Sequence, residues 1–113
     1  MTILDRTTWT PVCELARLIP DRGVAALVGG RAVAVFLLAT GDVHAIDNVD
    51  PCSGASVLSR GIVGDAGGVP TVASPMYKQR FDLRTGECLD DDTVRVAVHA
   101  VRVIGGVIHV GAQ

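Results

Sequence analysis

No apolar run in this chain exceeds eight residues, from Ala32 to Ala39, whereas a helix crossing a bilayer needs about 20. A membrane-spanning helix is thereby excluded. Basic charge is not in excess: ten Lys and Arg stand against 12 Asp and Glu, for a net charge of −2, and a nucleic-acid partner would ask for a basic face. Aromatic residues make up only 4%, so the core must be mainly aliphatic. Cysteine is sparse and irregular. Cys13, Cys52 and Cys88 form no CxxC pair, and an odd count at such spacing points to reduced thiols rather than a disulfide framework or a metal knuckle. No G-x-S-x-G elbow surrounds Ser53, Ser59 or Ser74, and none of them has a neighbouring histidine, so nucleophilic catalysis has no sequence support. Gly64–Gly68 lacks the lysine and helix of a phosphate loop and reads as a flexible connection. Asp90–Asp92 is not followed by the spaced carboxylates of a calcium loop and reads as a solvated turn. Residues 1–8 include Asp5 and Arg6 and no hydrophobic signal core. They are expected to be a tail before a single cytoplasmic domain over residues 9–113.

What is present is a succession of short β-rich runs in a chain of 113 residues that is 49% hydrophobic and 19% charged. That length buries enough surface for one core without staples. Val24–Val28 and Ala32–Leu38 flank Gly29-Gly30, and a Gly-Gly pair accepts the positive φ of a tight hairpin turn. Thr40-Gly41-Asp42 turns the chain into Val43–Asp47, and Gly105-Gly106 links Val94–Ile104 to Val107–Val110. In Val94–Ile104 the apolar positions run Val94, Val96, Val98 and Ala100, then change phase to Val101 and Val103. Such a change predicts a bulge, or a strand that bends from one sheet to another. Glu14–Ile19 can form one helical turn before Pro20. The expected fold class is all-β: an antiparallel sandwich of two packed sheets with its Pro- and Gly-rich loops at one end.

Two of those loops, Asn48–Ala55 and Ser74–Asp82, resemble the cluster-binding loops of a Rieske iron–sulfur domain. The flanking runs Val43–Asn48 and Phe81–Leu89 extend the similarity. A Rieske domain carries Cys-x-His in the first loop and Cys-x-x-His in the second, two thiolates holding one iron and two imidazoles the other. Here Asp50 and Cys52 stand at the first pair of positions, Ser74 and Tyr77 at the second. No cysteine in the chain is followed by a histidine at two or three residues. Serine and tyrosine are poor neutral ligands, and His44, His99 and His109 all fall in expected strands. The resemblance therefore implies a Rieske-like β-sandwich with no metal or cofactor of its own. Pro51, Pro75, Met76 and Tyr77 are expected to pack into the volume of the missing cluster.

Among such ligand-free domains, three segments together resemble the small subunit of NAD(P)H-dependent nitrite reductase: Asp50–Ser53, Val57–Asp65 and Ala73–Gln79. The similarity runs from Trp9 to about Val110, with a departure at Cys52, where many relatives would carry an aromatic. It implies a non-catalytic subunit of a cytoplasmic enzyme of nitrogen assimilation that converts nitrite to ammonia. Its partner would be a large subunit carrying FAD, sirohaem and a 4Fe–4S cluster. Near the loop tips Arg60, Lys78 and Arg80 bring positive charge beside Met76 and Tyr77, a composition that suits a protein interface. Two other readings stay open: a Rieske-type ferredoxin serving an oxygenase, which would be coloured by its cluster, and a free-standing protein-binding module.

Overall fold

The strand Arg31–Leu37 (β3) carries the fold, because it is buried on both faces. Val33, Ala34, Val35 and Phe36 all have zero exposure in the computed structural model, which describes residues 8–112. Residues 1–7 of the expected tail, and residue 113, lie outside the described residues. Val33 and Val35 enter one core with Leu18, Val28, Ala45, Ile108 and Val110. Ala34 and Phe36 enter a second with Ile46, Leu58, Val72, Phe81, Leu83, Cys88 and Val96. An uninterrupted apolar run is what a doubly covered strand requires.

β3 sits between Arg22–Val28 (β2) and Val43–Asp47 (β4), and Val98–His99 (β8) completes a four-stranded antiparallel sheet in the order β2-β3-β4-β8. A three-stranded sheet covers the first core. It consists of Thr8–Glu14 (β1), Val107–Ala112 (β10) and Val101–Ile104 (β9), in the order β1-β10-β9. These two sheets are the expected sandwich. A third, smaller sheet covers the second core and was not anticipated: Ile62–Ala66 (β5), Val69–Ala73 (β6) and Arg80–Asp82 (β7). The expected helical turn is a 3-10 turn at Leu15–Arg17. Among the described residues no helix is long and apolar enough to cross a membrane.

Both Gly-Gly hairpins form as expected, with φ of 58° and 79° at Gly29 and Gly30 and of 57° and 78° at Gly105 and Gly106. The flexible connection expected at Gly64–Gly68 is instead a third hairpin of the same kind. Gly67 and Gly68 have φ of 62° and 92°, and Asp65 Oδ1 accepts the Gly68 N–H at 2.6 Å. Val94–Ile104 is not one strand. β8 pairs with β4 through Ala45↔His99, β9 pairs with β10, and Ala100 between them is the point of crossing. The phase change in the sequence is thus a passage between sheets, one of the two outcomes it predicted.

Candidate functional site

The first loop leaves β4 at Asn48, a buried side chain that ties both ends of the loop together. Its Oδ1 accepts the Ser59 N–H at 2.7 Å, its Nδ2 donates to Ser56 Oγ at 2.8 Å, and its carbonyl accepts the N–H groups of Val57 and Leu58. Inside the loop, Asp50 makes three local bonds. Its N–H donates to Ala55 O at 2.8 Å, its carbonyl accepts the Gly54 N–H at 2.7 Å, and its Oδ1 accepts the Cys52 N–H at 2.8 Å. A short polar side chain that accepts an N–H two residues on is the mechanism by which Asp and Ser build turns.

Ser74 makes the same three bonds in the second loop. Its N–H donates to Gln79 O and its carbonyl accepts the Lys78 N–H, both at 2.9 Å, while its Oγ accepts the Met76 N–H at 3.2 Å. A third copy follows at Asp82, with Glu87 O at 2.8 Å, the Gly86 N–H at 2.7 Å and the Arg84 N–H on Oδ1 at 2.8 Å. In each loop the fifth residue has positive φ: 75° at Gly54, 63° at Lys78 and 81° at Gly86. The first two loops are also joined directly. The Ser74 hydroxyl donates to Asp50 Oδ2 at 2.5 Å, with Asp50 and Ser74 exposed by 0% and 1%.

That contact decides whether the degenerate positions fit an iron. Two thiolates on one tetrahedral metal, each about 2.3 Å from it, lie about 3.7 Å apart. Asp50 and Ser74 instead share a hydrogen bond at 2.5 Å, which leaves room for a proton and nothing larger. Burial, reinforced by the Asp50 carboxylate, pushes the Cys52 thiol up, away from the thiolate a metal needs. Tyr77 is 61% exposed. The histidines stand in β4, β8 and β10, where His99 Nε2 engages Asp47 Oδ1 at 2.8 Å and His109 Nδ1 lies 3.1 Å from Val107 O. Among the described residues no group of His, Cys, Asp and Glu is placed to hold a metal. These residues do not fit the cluster.

The apolar residues expected to fill its place do not do so. Pro51 and Pro75 are exposed, as are Met76 and Tyr77; the loops touch through the buried polar pair, and their apolar tips face outward. Val49, inside the first loop, and Leu89, beyond the second, are also exposed apolar residues and were absent from the sequence-based interface. The Leu89 N–H donates to Arg80 O at 2.8 Å, which sets that side chain beside the second loop.

The three cations expected at the tips have different surroundings. Arg60 ends the 3-10 turn Leu58–Arg60 and lines a groove with Gly23, Ser59 and Ile62, between β2 and β5. Arg80 turns back on Asp90, its Nη2 at 2.8 Å from Oδ1 and its Nε at 3.2 Å from Oδ2. Lys78 has no ion-pair partner among the described residues. The Arg80 hydrogen bonds lower the Asp90 carboxyl from 3.8 to about 2. A depressed folded value means stability that is present above the unfolded value and lost as pH falls through the folded one. Thermal melts should therefore place wild type above Asp90→Asn by a constant margin from pH 6 down to about pH 4, closing near pH 2. A margin that stays open at pH 2 would remove the ion pair as its cause.

Comparison with known proteins places this geometry. Residues 8–111 match the family described as the Rieske-like 2Fe–2S domain. The nitrite reductase (NADH) small subunit of Salmonella typhimurium is 44% identical over 101 residues, which is 88% of this chain and 94% of that one. The nitrite reductase NAD(P)H large subunit of Klebsiella oxytoca is 44% identical over 111 residues, 97% of this chain but 11% of that protein's length. A crystal structure from Mycobacterium tuberculosis, of a protein assigned as an NADH-dependent nitrite reductase small subunit, superposes with a TM-score of 0.93. It is 51% identical and covers 96% of this chain and 98% of its own.

Proposed function

The chain belongs to the Rieske-like family and, within it, to the small subunits of NAD(P)H-dependent nitrite reductase; on that premise we propose that it is the non-catalytic subunit that binds and supports the large one. The large subunit would carry FAD, sirohaem and a 4Fe–4S cluster and reduce nitrite to ammonia in the cytoplasm. The observation that supports this division of labour is the buried Ser74–Asp50 hydrogen bond. The two loops are held to each other by a proton where a Rieske domain would hold them by iron, so the chain keeps the frame and lacks the electron carrier. In the Klebsiella relative, a segment similar to almost all of this chain lies within the large subunit's own polypeptide, an arrangement that suits two parts working in contact. A docked module of this kind can keep cofactor-bearing domains in register or shield intermediates from water.

The ferredoxin reading needs four ligands that the loops do not supply. The test is affinity purification of the tagged chain from nitrite-grown cells. The isolated polypeptide should be colourless, and the complex should contain a large flavin- and sirohaem-bearing partner. Stoichiometric iron and acid-labile sulfide in the isolated polypeptide, or its recovery without that partner, would overturn the reading.

A further inference from the structure

Three loops share one backbone, and the residue at their fifth position is Gly54, Lys78 and Gly86, all in the left-handed region. Glycine adopts that conformation without penalty, whereas an L residue strains its Cβ against the backbone. Lysine is not among the polar residues that tolerate it well. A strained residue that persists where glycine would be easier is a pointer to function. Lys78 is exposed, has no ion-pair partner among the described residues, and follows Met76 and Tyr77, which are 50% and 61% exposed. Its neighbour Arg80 is occupied by Asp90, so Lys78 is the cation of this loop that stands ready for an outside group. The three local bonds of Ser74 and its link to Asp50 hold the tip in place before any partner arrives, which lowers the ordering cost of docking.

We propose that the second loop docks on the large subunit through Lys78, whose ammonium group meets a carboxylate there while Met76 and Tyr77 pack around the contact. This rests on the preceding reading of the chain as a subunit of that enzyme, and the Klebsiella protein, in which the two are one polypeptide, is what commits the surface to this occupant. The edge strand β2 offers a competing apolar surface, with Leu27 74% exposed, and serves as the comparison site.

The experiment titrates the chain and its variants onto the purified large subunit by calorimetry at low and high salt, alongside thermal melts of the isolated chain. Lys78→Gly should melt no lower than wild type, because it relieves the left-handed strain, yet bind about tenfold more weakly at low salt with a flatter salt dependence. Lys78→Glu should bind more weakly again, Tyr77→Asp should fold and lose affinity, and Leu27→Asp should bind within about twofold of wild type. Wild-type binding with Lys78→Gly unchanged would overturn the docking site and leave the subunit reading intact. A Lys78→Gly chain that melts clearly lower would show the lysine serving the fold, and a greater loss at Leu27 would place the contact on β2; either overturns the proposal. Failure of wild type to bind the large subunit would remove the subunit reading itself, and the docking site with it.

Discussion

Gly86→Ala is expected to abolish folding, whereas Gly54→Ala, at the corresponding place in the first loop, should cost about 1 kcal/mol. Both glycines have positive φ, 81° and 75°, so both variants incur the strain of a Cβ in the left-handed region. They differ in what that Cβ would meet. At Gly54 there is open space. At Gly86 the new carbon would lie 2.0 Å from Val96 O, 3.1 Å from Val96 C and 3.1 Å from Val98 Cγ2. The nearest of these is a backbone atom and cannot rotate away. The close approach exists because the Val96 N–H donates to Gly86 O at 2.8 Å, seating the Val96 side chain, 4% exposed, in the second core. Pushing the two segments apart would break that bond and withdraw a core residue together. The combined cost should exceed about 4 kcal/mol, comparable with the whole stability of a small domain, typically about 5–15 kcal/mol. Soluble yield and urea unfolding report it directly. If Gly86→Ala unfolded within about 1 kcal/mol of Gly54→Ala, the close approach of Val96 O to Gly86 would not be what requires a glycine in the third loop.

The same loops show which parts of the structure could be read in the sequence. Gly29-Gly30 and Gly105-Gly106 announced their hairpins because glycine pairs between apolar runs have one common use. Gly67-Gly68 carried the same signal but stood in a polar, Gly-rich stretch with short flanking runs, Ile62-Val63 on one side, and its composition masked its turn chemistry. The two degenerate cluster loops were legible as positions, since Asp50, Cys52, Ser74 and Tyr77 keep the ligand spacing. What fills the vacated centre was not. Met76 and Tyr77 are apolar and were expected inside, but a buried Asp–Ser pair satisfies itself in the space that two facing loops leave, and nothing local in either segment reveals a bond between residues 24 apart. The third copy of the loop was hidden for a related reason. Asp82–Glu87 shares with the others only a short polar first residue and, with the first, a glycine at the fifth position. The repeated feature is therefore a hydrogen-bond pattern rather than a sequence.

Asp50→Ala should destabilise the isolated chain by about 3 kcal/mol, since it removes both side-chain bonds of a fully buried carboxylate. The Cys52 N–H loses its acceptor at 2.8 Å and the Ser74 hydroxyl loses its acceptor at 2.5 Å, so one buried and one half-buried donor are stranded. Relief of the desolvation cost of the carboxylate opposes this. The loss should still win, because Asp50 leaves a buried serine with no replacement partner, and alanine is too small to close the gap. Ser74→Ala should cost about 2 kcal/mol by stranding one carboxylate oxygen. Asp50→Asn should cost only about 1 kcal/mol, since the amide oxygen can still accept from Cys52 and the serine hydroxyl can turn to accept from the amide. Measured together by urea unfolding, Asp50→Ala and Ser74→Ala should be non-additive by about 1–3 kcal/mol, because each removes the same bond. The functional consequence follows from what that bond spans. It is the side-chain link between the first and second loops, so its loss should free the Lys78 tip to move against its neighbour and weaken docking even in the fraction that remains folded. Gly54→Ala, which leaves the link intact, should not. An additive cycle would mean that the backbone bonds within each loop set its position unaided, and the polar pair at the former metal site would then have no part in holding the two loops together.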